Sequence, residues 1–362
     1  MNGFKAEPEA LRIAELVAVE RVLRSGWYVL GDEVRAFEKT WAKRCNVAHA
    51  VGVGNGMDAI EIGLRALRIG PGDEVITTSM TAFATVLAII RAGAEPVLAD
   101  IDPRTALLEP SSVERCITAR TKGLLLVHLY GQVREMDRWV DLCKRHHIAL
   151  LEDCAQSHLA RWGGQTGGAF GHLGAYSFYP TKNLGAIGDG GALVSDDEAL
   201  VTTARTLRNY GQSVRYQHPE LGLNSRLDEI QAALLLVRLD WLEAFTQRRQ
   251  QIAAAYFREI RNPLVRSLAT PLHSENHVFH LFVVTCGQRD RLAQHLKDRG
   301  VETLVHYPVP VHRQPPCKGI RRDPSGLDAT EQHAAQCLSL PCHPQLSESD
   351  SARVIEAINA FR

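Results

Sequence analysis

Between residues 47 and 195, short apolar runs alternate with longer segments whose apolar positions recur at helical spacing. AHAVGVG reads as a strand and leads into GMDAIEIGLRALRI, a helix. DEVITTS leads into TAFATVLAIIRAGA, EPVLADID into SSVERCI, and KGLLLVHLYG into REMDRWVDLCKRHH; IALLEDCA and AYSFY complete the strands. Nearly continuous apolar strands separated by helices predict a mostly parallel sheet covered on both faces, a three-layer α/β unit. PGDEV and AGAEP are the expected turns between its elements. Residues 225–257 form one helical stretch longer than an ordinary helix, which predicts either a bridge between two units or a break near residues 238–241. A smaller α/β pattern follows, with VFHLFVVTC and VETLVHYP as strands, RDRLAQHLKDRG as a helix, and a last helix ending in VIEAINAFR. The expected division is a large domain over 1–238, whose N-terminal helices could pack on the small domain, and a small C-terminal α/β domain over 239–362.

Composition narrows the partners. Lys+Arg and Asp+Glu both number 41, so no surplus of either sign is available to hold nucleic acid or an anionic membrane. The N-terminal stretch has no apolar core and carries Glu7, Glu9 and Glu15, unlike a secretory signal. The apolar run AFATVLAII is far too short to span a bilayer, and the expected location is cytoplasmic. The eight cysteines include no CxxC pair and read as free, mostly buried thiols. Cys143, His146 and His147 fall on one helix beside Lys144 and Arg145 with no second cluster at metal spacing, so no metal site is expected.

Three stretches carry chemistry. Asp153 ends the apolar run ALLED, where open α/β sheets place their ligands; it is either a strand-end cap or a partner for a ligand cation. VGVGNGMDAI runs strand, glycine turn, helix, either a cradle of free N–H groups for a phosphate or a tight turn serving helix packing. It fits neither GxGxxG, because Met57 and Ala59 occupy the glycine positions, nor a P-loop; this excludes a nicotinamide dehydrogenase on that fingerprint. SFYPTKNLGAIGDGGALV holds a single cation, Lys182, between an apolar run and glycines 185, 188, 190 and 191. A lysine, a strand-end aspartate and a phosphate cradle are the protein parts that pyridoxal phosphate requires. The lysine forms an imine with the aldehyde, and the aspartate pairs with the protonated pyridine nitrogen. Desolvation would lower the lysine pKa so that the amine can act as a general base.

SFYPTKNLGAIGDGGALV resembles the lysine segment of the DegT/StrS-type sugar aminotransferases, a fold-type-I pyridoxal phosphate family. EDCAQS resembles its EDAAQ segment, GLNSRLDEIQAALL its GxNxRxxxxQAA segment and VHYPVPVHRQP its HYPxP segment, in the same order along essentially the whole chain. The resemblance implies that Lys182 is the Schiff-base lysine and proton shuttle and that Asp153 meets the pyridine nitrogen. Gln156 would lie beside the ring, and Ser177 with the Gly56 and Met57 backbone would hold the phosphate. Asn224 would reach the phosphate of the other subunit's cofactor in a homodimer, and Arg226, His306 and Tyr307 would line the sugar-nucleotide side.

Two positions depart from the family pattern. Met57 stands where many members have a threonine hydroxyl for the phosphate, which shifts that task to Ser177 and Asn224. Ala82 stands where many have an aromatic residue stacked on the ring, with Phe83 one place on as its substitute. Lysine rather than histidine at 182 favours transamination over the dehydration run by family neighbours. Residues 208–229 and 305–315 most resemble members that aminate a 3-keto carbon. Arg215, Tyr216 and His218 are either diphosphate contacts or a solvated loop, and His158, His172, His273, His277 and His280 read as surface or packing residues. The implied reaction carries an amino group from L-glutamate to a dTDP- or UDP-linked keto sugar. A 4-keto sugar aminotransferase and a non-catalytic cofactor-binding protein are the rivals.

Overall fold

The computed structural model describes residues 3–362. Two helices come first, α1 (Glu9–Ser25) and α2 (Asp32–Cys45). The alternation read from the sequence follows: β1 (His49–Val53), α3 (Gly56–Ala66), β2 (Glu74–Thr78), α4 (Phe83–Arg91), β3 (Glu95–Ala99), α5 (Pro110–Cys116), β4 (Thr121–Val127), α6 (Met136–His146) and β5 (Ala149–Asp153). A short hairpin of β6 (Arg161–Trp162) and β7 (Gln165–Thr166) precedes β8 (Leu173–Ser177), β9 (Gly191–Ser195) and α7 (Glu198–Leu207). After α8 (Glu229–Glu259) come β10 (Arg266–Ser267), β11 (Phe282–Thr285), α9 (Arg289–Lys297), β12 (Arg321–Arg322), α10 (Asp328–Gln336), β13 (Cys337–Leu340) and α11 (Glu348–Asn359).

Eight strands form the main sheet in the order β1-β9-β8-β5-β4-β2-β3-β12. Only β9 runs against its neighbours β1 and β8; every other pairing is parallel. The C-terminal ends of β1, β2, β4, β5 and β8 therefore share one edge. Successive residues of a strand point to opposite faces, and both faces are covered. Val75 and Leu151 enter a core with α3, α4 and α7, while Ile76 and Leu150 enter one with α5 and α6. A separate core joins the second half of α8 to β11, β13, α9 and α11, around Ile252, Tyr256, Phe282, Leu338 and Ile358.

Helix α8 runs 31 residues without the break considered near 238–241. At 1.5 Å per residue it is about 46 Å long. Its first half carries Ala233, packed on α1, and Leu235, packed with α2; its second half serves the C-terminal core. The expected strand VETLVHYP is not formed. Leu304 makes one isolated bridge to Ser339, and the chain then turns through Pro308 and Pro310, which have no N–H to continue a ladder. The two-residue β12 pairs in parallel with β3 and so belongs to the main sheet despite following α8.

Candidate active site

The shared edge of the sheet gathers the chemistry. Asp153 ends β5 and is buried; its Oδ2 accepts the Thr85 hydroxyl at 2.9 Å and its Oδ1 accepts the Ala155 N–H at 3.1 Å. Thr85, in the first turn of α4, also bonds Thr81 at 2.8 Å. The side chain that orients the carboxylate thus lies in TAFAT, two places beyond Phe83. Phe83 packs towards the Val86, Val311 and Cys317 cluster.

The cradle is built at the end of β1. Asn55 caps α3 by accepting the Asp58 N–H at 2.8 Å. The Gly56 and Met57 N–H groups, in the first turn, have no carbonyl within the helix to donate to. A Cβ at Gly56 would lie 2.5 Å from the Ser177 Cβ, so the turn presses directly on the end of β8. Ser225 braces it from outside, accepting the Gly54 N–H at 3.0 Å and donating to Asp58 Oδ2 at 2.7 Å. Met57 turns its side chain to the core rather than supplying a polar group.

Lys182 sits on the loop leaving β8. The loop is closed by Ala186 N–H to Phe178 O at 2.7 Å and Lys182 N–H to Tyr179 O at 2.9 Å. A Cβ at Gly185 would fall 2.4 Å from the Pro180 carbonyl oxygen, so only glycine allows this closure. Burial lowers the Lys182 amine to about 8, against the opposing pull of Asp153. Three histidines feel this amine: His158, pushed down to about 3 by burial; His280, held well below its ordinary value by burial; and His306, lowered by burial. His158 donates from Nε2 to the Ser177 carbonyl at 3.0 Å, linking the Asp153 loop to the end of β8. His280 meets Asn183, the residue after the lysine, at 3.2 Å. Both pack as expected, and both also border the lysine.

Opposite stands Gln156, which accepts the Tyr130 N–H at 2.6 Å and donates to the Tyr307 hydroxyl at 3.2 Å. Burial first, and then Asp153, raise the Tyr307 hydroxyl to about 12, so it remains protonated at neutral pH. His306 bonds Ser339 at 2.9 Å, and its carbonyl accepts the Tyr130 hydroxyl at 2.6 Å. Tyr130 had no sequence signal. Lys182, Asp153, Gln156, His306 and Tyr307 are thus brought together, with Gly56, Met57 and Ser177 along the same edge.

The remaining candidates lie on the segment from Asn209 to Arg226, which meets the cradle at Gly54 through Ser225. Arg226 bonds Asn209 at 3.0 Å and covers the Tyr210 ring at 5.0 Å. Asn224 is exposed. Arg215 stacks on Tyr216 at 5.1 Å, and His218 bonds the Tyr210 carbonyl at 3.0 Å, all three on an exposed loop tied to the turn after α3 through Arg68 and Glu220. A cleft of about 780 Å³, lined by Lys122, Ala149 and His172, opens at the opposite ends of the strands and is remote from the lysine. Cys143 is buried while His146 and His147 are exposed, so that trio does not converge. His128, Glu152 and Cys154 do converge. The Glu152 carboxylate, however, already accepts His128 and the Gly168, Phe170 and Gly171 N–H groups, each at 2.8 Å. Those bonds saturate it as a structural brace.

These residues suit pyridoxal phosphate. Among the described residues the Lys182 amine has neither a hydrogen bond nor an ion pair, the Asp153 carboxylate is oriented by two donors, and Gly56 leaves room where a Cβ would collide with Ser177. Known proteins agree with this chemistry. The chain is 45% identical over 358 residues to dTDP-3-amino-3,4,6-trideoxy-alpha-D-glucose transaminase of Streptomyces venezuelae, covering 99% of this chain and 94% of that one. It is 41% identical to the pleiotropic regulatory protein of Geobacillus stearothermophilus, over 98% of this chain and 95% of that one. The crystal structure of S. venezuelae DesV in complex with a ketimine intermediate superposes with a TM-score of 0.94 at 45% identity, over 98% and 96% of the two chains. The family model described as the DegT/DnrJ/EryC1/StrS aminotransferase family matches residues 10–359, and the chain belongs to that family.

Proposed function

We propose that the protein is a pyridoxal phosphate-dependent transaminase that moves an amino group from L-glutamate to the 3-keto carbon of a nucleotide-linked deoxysugar, with a dTDP-linked sugar as acceptor. The observation that carries this reading is Lys182, a half-buried amine with neither hydrogen bond nor ion pair among the described residues, lowered to about 8 by desolvation and facing an oriented Asp153. When bound, the cofactor supplies an electrophilic aldehyde on an electron-withdrawing ring. Lys182 would hold it through Nζ, and the free Nζ would give and take the proton at the reacting carbon, a task suited to an amine titrating near neutral pH. Asp153 would pair with the protonated ring nitrogen. The Gly56 and Met57 N–H groups and Ser177 bind the phosphate at a helix N-terminus. Gln156 borders the ring; Phe83 packs on the Val86, Val311 and Cys317 cluster instead. Arg226, His306 and Tyr307 face the sugar nucleotide, with Arg215, Tyr216 and His218 towards its diphosphate.

A homodimer completes the site in this reading. Large apolar side chains stand exposed on α1 and just after it, Leu16, Val17, Trp27 and Tyr28, and on the lysine loop, Tyr179 and Ile187. These are suited to a second copy, whose site Asn224 would reach. Residues 239–362 would close over the acceptor. Among the described residues, no helix is long and apolar enough to cross a membrane. A cytoplasmic location is part of this proposal. The 3-keto acceptor follows the S. venezuelae transaminase, whose name specifies a 3-amino sugar. A matched assay tests it: loaded enzyme with glutamate and either dTDP-3-keto-6-deoxyglucose or its 4-keto isomer, following 2-oxoglutarate. Turnover with the 3-keto sugar alone is expected; turnover with the 4-keto sugar alone would overturn the regiochemistry and leave Lys182 in its role.

A further inference from the structure

Ser79 follows the last residue of β2 and is wholly buried. Its carbonyl accepts the Val311 N–H at 3.0 Å, and its hydroxyl accepts the His312 N–H at 3.2 Å. The same hydroxyl lies 2.7 Å from His312 Nδ1. His312 Nε2 meets Glu331 Oε1 at 2.9 Å; that carboxylate can only accept, so Nε2 carries the proton and Nδ1 of the neutral ring accepts the Ser79 hydroxyl. Hydrogen bonds from His312 and Arg313 hold the Glu331 carboxyl below its ordinary value, so the chain ends on a carboxylate.

Serine, histidine and glutamate in hydrogen-bonded order resemble a hydrolase triad, but here the ring nitrogens are exchanged and Ser79 has no exposed surface. The arrangement is a clasp. It ties residues 305–312, which form no strand and include Pro308 and Pro310, to the end of β2. That strand end continues through Thr81 to Thr85, the residue bonded to Asp153. The clasped segment carries His306 and Tyr307. We infer that His312 is a positioning residue for the acceptor, fixing where His306 and Tyr307 stand through Ser79 on one side and Glu331 on the other. The inference rests on the proposed reading, in which this segment faces the sugar nucleotide.

The test uses cofactor-loaded enzyme, with dTDP binding by calorimetry as one readout and single-turnover reaction with glutamate as the other. Losing a buried bond of this kind corresponds to about a tenfold weaker dTDP complex for His312→Phe, with the glutamate rate unchanged within about twofold. His312→Asn, whose amide still reaches Ser79, recovers most of the affinity. Ser79→Ala removes the same bond without adding volume and shifts dTDP binding in the same direction, which covers the case of a phenylalanine variant that does not fold. Wild-type affinity for dTDP in His312→Phe or Ser79→Ala, equal loss of both readouts, or no dTDP binding by the wild type overturns the inference. A wild type inert to glutamate overturns the proposed function instead, and the clasp is then judged on dTDP binding alone.

Discussion

At Lys182 two forces oppose each other: burial disfavours the ammonium, Asp153 favours it, and burial prevails. The folded value of about 8 lies below the ordinary 10.5, so the unfolded chain binds the extra proton between those values. Stability contributed by this group therefore rises with pH from 8 to 10.5, and its cost is fully present below 8. Lys182→Met is expected to stabilise the cofactor-free protein at pH 7 by about 1–3 kcal/mol, with the gain shrinking above pH 8, as measured by urea unfolding at both pH values. Gly56→Ala is expected to weaken cofactor binding by at least about tenfold through the collision with Ser177, measured by titrating the cofactor-free protein. Lys182, Asp153 and the glycine turn were legible because a lone amine, a strand-end carboxylate and a helix-opening turn are local signals. Thr85 and Tyr130 were not, because their partners Asp153 and Gln156 come from other strand ends and meet them only in the folded sheet.

Among the elements, α2 shows how the site's outer wall is held. Its N-cap, Gly31, offers no side chain. Glu229, at the start of α8, serves instead, accepting the Gly31, Glu33 and Val34 N–H groups at 2.7, 2.9 and 3.0 Å. A Cβ at Gly31 would lie 2.6 Å from that carboxylate. Glu229→Ala strands these donors and is expected to cost about 2–3 kcal/mol, Glu229→Gln about 1 kcal/mol, both read from denaturant unfolding. Most strands and helices were legible because buried parallel strands are continuous apolar runs. VETLVHYP carried a strand alternation too, but its pairing stops at the one bridge from Leu304 to Ser339, ahead of Pro308. β12 is the reverse case: Arg321–Arg322 has no strand pattern and pairs only because the chain lies along β3.

For the whole molecule, the parallel sheet is the device that makes residues 56, 153 and 177 neighbours. β5 and β8 are adjacent and end together, and β9 returns antiparallel so that the lysine loop closes beside the cradle. A Cβ at Gly191 would lie 2.4 Å from the Asn55 carbonyl carbon, which shows how closely that return passes the turn. Helix α8 fastens the second core to this frame. Six of the strands running one way could be anticipated from the alternation of strand and helix; their order, and the route that brings His306 and Tyr307 to Gln156, arise from contacts between distant segments. The central claim is that Lys182 in this frame takes an amino group from glutamate. The direct measurement is a single turnover of cofactor-loaded protein with L-glutamate and no acceptor. The expected result is one 2-oxoglutarate per loaded site with loss of the bound cofactor's visible absorbance, and none from Lys182→Ala. No 2-oxoglutarate from the wild type, or an equal yield from Lys182→Ala, would contradict it.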